Sequence, residues 1–299
     1  MKRGVKKQQL DKKLVLERKT LDMRHTLILD EDRCVGCGIC ETICPEEAPK
    51  LSPPVTREGR LVQKPSVDFE ADRCTFCGEC VDLCPTSAIK IEINGEPRVP
   101  VFEVEAFPVL RKMVAIDAKK CWYGAITAAC EVMCQKECPT DAIDVTVERI
   151  GKDSAGRIVD FKVLEEKCIF CRQCEYACPE GAIYVTKPVG GSLRLDTNLC
   201  PEGCQICADA CPSEAISIDE DGKLVIKEEF CIYCGACQQV CPENAIKVKR
   251  TQVWHTDVKS GAWVIALEKL TSLGSVAKEI SSKSEKKRLE RVKSLVSVR

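Results

Sequence analysis

The 24 cysteines of this 299-residue chain fall into six sets of four. The first is Cys34, Cys37, Cys40 and Cys44, and the second is Cys74, Cys77, Cys80 and Cys84. The third is Cys121, Cys130, Cys134 and Cys138, and the fourth is Cys168, Cys171, Cys174 and Cys178. The fifth is Cys200, Cys204, Cys207 and Cys211, and the sixth is Cys231, Cys234, Cys237 and Cys241. A proline follows the last cysteine of every set: Pro45, Pro85, Pro139, Pro179, Pro212 and Pro242. Sulfur donors in fours either bind zinc or complete an iron–sulfur cube. No cysteine is left over, so no free reactive thiol is expected.

Spacing separates the two chemistries. Sets one, two, four and six read C-x2-C-x2-C-x3-C-P, the bacterial ferredoxin signature for a 4Fe–4S cluster. Three thiolates on a tight loop wrap one cube from one side. The fourth lies one helical turn further on and ligates the other cluster of a pair. Zinc ribbons use two distant CxxC pairs instead. Gly36, Gly38, Gly78 and Gly235 let the loops take unusual dihedrals. The fifth set has one extra residue in its first gap. The third spaces its cysteines by eight, three and three residues, so Cys130, Cys134 and Cys138 could share one helical face. The expected cofactor complement is six 4Fe–4S clusters, with all 24 cysteines as iron ligands.

Other chemistry lacks support. His25 and His255 are the only histidines, which excludes multi-histidine metal sites and Rieske centres. No GxGxxG or Walker A pattern occurs, and no nucleophile or acid–base pair stands out, so no catalytic residue is expected. There is no run of 18 apolar residues to span a membrane. The N-terminus lacks the apolar core of a secretory signal. The expected location is therefore cytoplasmic, where thiols stay reduced and structural disulfides are rare. Without its cysteines the chain is poor in apolar residues, so bound metal is expected to supply folding energy.

Repeating elements must position these loops. Five prolines lead into x-x-Ala-Ile and an alternating segment that reads as a strand, as in AISID and AIKVK. The first set departs from this with Ala48-Pro49, which makes its strand an edge. LVIKEEFC and IVDFKVLEEKC read as strands entering the next loop, and DEDGK and KDSAGR as turns. The unit is strand, cysteine loop, short helix, strand. The fold class expected is α+β: three tandem two-cluster bacterial-type ferredoxin domains with a helical C-terminal tail. The divisions are a basic N-terminal extension at 1–25, domain one at 26–100, domain two with its preceding linker at 101–188, domain three at 189–250, and a helical basic tail at 251–299. Gap lengths also leave open a nested order, with loops four and five inserted between three and six.

The ends differ in charge from the middle. Residues 1–25 carry a net +6 and residues 275–299 a net +5, against −1 for the whole chain. The acidic middle argues against a nucleic-acid footprint. Ser260 and Ser275 are expected helix caps in the tail. Trp254, Trp263, Val264 and Leu267 read either as core packing on the last ferredoxin unit or as a partner contact. Arg172 stands where loops one, two and six have glycine, and its charge could raise a cluster potential.

These six motifs, across residues 34–242, resemble the polyferredoxins of methanogenic and related archaea. Within that group, repeat order and the segment HTDVKSGAWVIALEKL are most similar to the polyferredoxin component of formylmethanofuran dehydrogenase. The resemblance implies a non-catalytic subunit that relays single electrons through its clusters to or from a larger redox enzyme. The implied partners are the other subunits of such a complex, with formylmethanofuran dehydrogenase foremost, and another electron carrier. The alternative is a free or hydrogenase-linked polyferredoxin acting as a mobile low-potential carrier.

Overall fold

In a computed structural model, the described residues are 4–121, 130–149, 156–257 and 260–271. Strand pairing follows the cysteine repeat three times. In the first unit β3 (Arg24–Asp30) pairs antiparallel with β8 (Ile89–Ile93), and β4 (Pro49–Leu51) pairs with β7 (Val67–Phe69) inside that span. In the second, β10 (Met113–Ile116) pairs with β13 (Ile183–Thr186), enclosing β11 (Ile143–Arg149) and β12 (Gly156–Val163). In the third, β14 (Val189–Leu195) pairs with β17 (Ile246–Val253), enclosing β15 (Ile216–Ile218) and β16 (Leu224–Ile226). Loops therefore pair one with two, three with four and five with six, and the nested order is not formed. As expected from Pro49, β4 has a single strand partner.

Short helices carry the third cysteine of each loop. They are α1 (Ile39–Ile43), α2 (Glu79–Asp82), α4 (Met133–Lys136), α5 (Gln173–Ala177), α6 (Ile206–Asp209) and α7 (Ala236–Val240), with α3 (Pro100–Glu103) after the first unit. The residue before the helix is left-handed at Gly38, Gly78 and Gly235, with φ of 75°, 95° and 88°. Arg172 holds the same conformation at φ 74°. The shared helical face expected for Cys130, Cys134 and Cys138 does not form, because α4 begins after Cys130 and ends before Cys138.

Both ends depart from the sequence reading. The segment read as a basic extension forms a hairpin, β1 (Val5–Leu10) and β2 (Lys13–Lys19). It continues the first sheet in the order β1-β2-β3-β8-β9, where β9 is Glu96–Pro97. Leu14 opposes Leu29 and Leu16 opposes Leu27, and all four are buried. These cross-strand apolar pairs join the hairpin to the first core.

The tail folds back across the first unit while its helix also keeps contact with β17 of the last. The Trp254 N–H donates to the Pro188 carbonyl, and the Arg111 N–H donates to the Trp254 carbonyl. Helix α8 (Gly261–Thr271) starts at Ser260, whose hydroxyl accepts from the Ala262 N–H at 3.2 Å, as expected of a cap. Trp263 is buried in one core with Ile39, Ile43, Leu83, Val101, Phe107 and Leu110. Its ring lies edge-on to Phe107 at 5.2 Å and to His255 at 4.9 Å. The core alternative for Trp263 holds, on the first unit instead of the last. The partner-contact reading fails for Trp263, which is buried, whereas Trp254 is exposed. The helix expected around Ser275 lies outside the described residues, as does most of the KDSAGR turn.

Candidate metal centres

Six groups of sulfurs form, and each takes three cysteines from one loop and one from its pair. Burial is the largest cause raising the loop thiols, and the neighbouring sulfurs that add to it define the groups. Cys34, Cys37 and Cys40 all sense Cys84, giving site I. Cys74, Cys77 and Cys80 all sense Cys44, giving site II. Cys121 and Cys134 sense Cys130 and Cys178, giving site III. Cys168, Cys171 and Cys174 sense Cys138, giving site IV. Cys200 and Cys207 sense Cys204 and Cys241, giving site V. Cys231, Cys234 and Cys237 sense Cys211, giving site VI. The irregular third and fifth loops thus cross over like the regular ones.

The local sequence explains how the fourth sulfur is held. After Cys-Pro the chain turns, and the residue before alanine takes a positive φ: Ser87 49°, Asp141 49°, Gly181 56°, Glu214 50° and Asn244 52°. This aims the alanine N–H back at sulfur. Ala88 donates to Cys84 Sγ at 3.2 Å, Ala142 to Cys138 at 3.2 Å, Ala182 to Cys178 at 3.3 Å and Ala245 to Cys241 at 3.3 Å. Those alanines are buried, which is why the repeat keeps a methyl side chain there. The Tyr233 N–H makes a similar bond to Cys231 at 3.3 Å. An N–H aimed at sulfur favours the thiolate, the form that binds metal.

The donor sets suit a four-metal cube. Each set is all sulfur, and all the cysteines are free thiols. Among the described residues no three His, Cys, Asp or Glu side chains converge tightly enough for a single ion. Four sulfur donors drawn from two loops suit the separate corners of a cube. Burial and then neighbouring sulfurs push the Cys134, Cys174 and Cys207 thiols up to about 12. Burial pushes Cys171 and Cys231 up to about 11. Such thiols give up their protons only to a strongly cationic group, so assembly must release protons.

The sites also approach one another. Within pairs, Cys80 of site II senses Cys40 of site I, Cys174 of site IV senses Cys134 of site III, and Cys237 of site VI senses Cys207 of site V. Between units, Cys37 of site I senses Cys234 of site VI. One small core unites Cys171, Cys234 and Cys37 with Ile169, Ile232 and Ala236. Sites I, IV and VI therefore meet at a common centre, while II, III and V lie outward from it.

Polar contacts tie the three units together. Arg60, on the hairpin of β5 (Val55–Arg57) and β6 (Arg60–Gln63), binds Asp209 through two N–H groups at 2.9 and 2.8 Å. Lys90 pairs with Glu166 at 2.7 Å, and Gln173 donates to the Ser213 carbonyl at 3.0 Å. The charge of Arg172 is neutralised: its guanidinium holds Glu175 at 3.0 and 2.9 Å. Sequence reasoning singled out that arginine and missed Lys187 and Arg250, which bond only backbone carbonyls beside the cysteine loops. No spacing rule marks those two, because each reaches its loop through the tertiary fold.

Known proteins resemble this chain in its cysteine-bearing segments and along most of its length. The 4Fe-4S dicluster domain matches residues 33–88 and 199–245, and the 4Fe-4S binding domain matches 161–184. A ferredoxin of Methanothermococcus thermolithotrophicus is 43% identical over 60 residues, covering 19% of this chain and 98% of that protein. The polyferredoxin-like subunit of an aliphatic sulfonate oxidoreductase from Pyrococcus furiosus is 38% identical over 100 residues, covering 29% of this chain. The aligned stretch spans 56% of that subunit. A chain of the formate dehydrogenase–heterodisulfide reductase–formylmethanofuran dehydrogenase complex from Methanospirillum hungatei superposes with a TM-score of 0.76 at 32% identity. That match covers 91% of this chain and 92% of the other.

Proposed function

The chain belongs to the 4Fe–4S ferredoxin family, as a polyferredoxin, and on that premise we propose that it is a non-catalytic relay subunit of a larger oxidoreductase. In this reading the 24 cysteines hold six clusters in three two-cluster domains, at 26–100, 101–188 and 189–250. A 4Fe–4S cube, when bound, takes up and gives back one electron at a time. The chain supplies the rest. Crossed cysteines fix neighbouring sites close together, N–H groups aimed at sulfur favour the thiolates, and buried alanines and isoleucines exclude water around them.

The observation that carries the reading is the meeting of Cys37 and Cys234. Both pack in one small core with Cys171, and within each unit the two sites adjoin, so in this reading none is isolated as a structural staple would be. The partner we infer is formylmethanofuran dehydrogenase within a multi-subunit assembly. The near full-length likeness to a chain of the Methanospirillum complex supports it. Anaerobic purification from the native source tests this directly. Stoichiometric recovery with a tungsten or molybdenum formylmethanofuran dehydrogenase is the expected result. Recovery as a lone chain that exchanges electrons with many enzymes contradicts it and establishes a free carrier.

A further inference from the structure

We propose that Arg250, seconded by Lys187, makes the central meeting point of sites I, IV and VI the place where the relay holds its electron. This rests on the relay reading above.

Arg250 lies within β17, opposite Gly191, and crosses to the sixth loop. It donates through Nε to the Tyr233 carbonyl at 2.8 Å and through a terminal nitrogen to the Cys234 carbonyl. It is half-buried, and burial is the largest cause lowering its pKa. The sulfurs of Cys37, Cys234, Cys231 and Cys237 oppose that shift. The first belongs to site I and the other three to site VI, so one guanidinium serves two sites. Among the described residues no carboxylate pairs with Arg250, and an arginine cannot shed its proton in a protein. Its charge is therefore permanent and is neutralised by nothing except the sulfur groups themselves.

Lys187 plays the matching part between sites IV and VI. It follows β13 and donates to the carbonyls of Glu229 and Cys231, the latter at 2.8 Å. Burial is the largest cause lowering its pKa and Arg172 adds to it, while the sulfurs of Cys231 and Cys171 and the Glu229 carboxylate oppose that shift. Backbone carbonyls hold both cations in place without cancelling them. Arg172, close by, is the contrast: its guanidinium is spent on Glu175.

A fixed cation favours the state with one more negative charge, which is the reduced one. Arg250 and Lys187 thus raise the potential of the groups held at the centre; at outward site II Arg18 donates to the Thr75 carbonyl at 3.3 Å and acts on one sulfur, Cys74, where Arg250 acts on four. Electrons entering from any outward site run to the centre and wait there for an acceptor.

The test is an EPR-monitored redox titration of the full-length holoprotein with iron content measured alongside. In R250Q, which keeps donors and loses charge, the highest-potential centres are expected to become harder to reduce. The reduced-to-oxidised ratio at fixed potential should fall tenfold, about 59 mV for a one-electron couple. R250K should restore the parent midpoint, and R172Q should leave every midpoint in place. Unmoved midpoints in a fully loaded R250Q overturn the proposal while leaving the relay reading intact. A parent protein that takes up no electrons overturns the relay reading instead. If R250Q loads less iron, the same titration on K187Q decides: a drop in the top midpoints supports the proposal, and none overturns it.

Discussion

Replacing Trp263 by alanine should weaken the whole assembly, because that ring joins the chain's tail to its first ferredoxin unit. The side chain is 2% exposed and fills a core between α1, the segment after α3, and α8. Truncating a buried tryptophan to alanine costs about 3–5 kcal/mol through lost transfer energy and the cavity left behind. The edge-on contacts at 5.2 and 4.9 Å place this site toward the upper end. For a chain of this size each kcal/mol moves the unfolding midpoint by about 2 °C, so the expected drop is roughly 6–10 °C. Trp263→Phe should cost less, since the indole N–H is buried without a hydrogen-bond partner and its removal leaves nothing unsatisfied. Leu21→Ala is the control, because Leu21 is fully exposed. Anaerobic calorimetry of the loaded proteins at one scan rate reads the effect and allows for irreversible unfolding. A Trp263→Ala protein that melts within about 1 °C of the parent would refute the fold-back of the tail and restore Trp263 as a free anchor for a partner.

Crossed ligation predicts that Cys84→Ala perturbs the EPR signal of the first-loop cluster and Cys44→Ala that of the second. The reverse pattern would mean that each loop keeps all four of its own cysteines. Proton linkage separates the metal-free from the loaded protein. Burial raises thiols such as Cys134 from 9.0 to about 12, so the metal-free fold holds protons that the unfolded chain releases. The contribution of these thiols to the metal-free fold is therefore present below about pH 9 and lost as pH rises from there toward 12, whereas cluster retention strengthens with pH because the ligands are thiolates. Circular dichroism of the metal-free chain and bleaching of the loaded chain, each across pH, should show these opposite slopes; parallel slopes contradict the assignment. Arg60→Ala should cost no more than about 1 kcal/mol and leave iron content unchanged, since its ion pair with Asp209 is largely exposed on the arginine side. Loss of iron from site V in that variant would show that the hairpin holds the fifth loop.

Local pattern alone made the cysteine sets, the short strands and the left-handed loop glycines legible. The strands after Ala-Ile show the alternation that burial imposes, as at Ile89, Ile91 and Ile93. The spacing rule of paired clusters anticipated the crossing of Cys44 and Cys84. Long-range contact was not legible. The N-terminal lysines read as a solvated extension, although Leu14 and Leu16 already marked one buried strand face. The place of Trp263 depends on a path of the chain past Pro188 and Arg111 that no local motif encodes. The same holds for Arg250 and for the meeting of Cys37 with Cys234, whose positions follow from how three repeats pack together. Arg172 shows the opposite failure. Its sequence position suggested redox tuning, and a glutamate three residues later removes the charge.

A chain that relays electrons through six clusters must both hold them and reduce them. Anaerobic coulometric titration of the purified full-length protein, with iron and sulfide measured on the same sample, tests both most directly. The account predicts uptake of about six electrons per chain, with about 24 iron and 24 sulfide, one cube for each of six sulfur groups. Zinc in place of iron, or a saturated protein that accepts fewer than about six electrons, would contradict it.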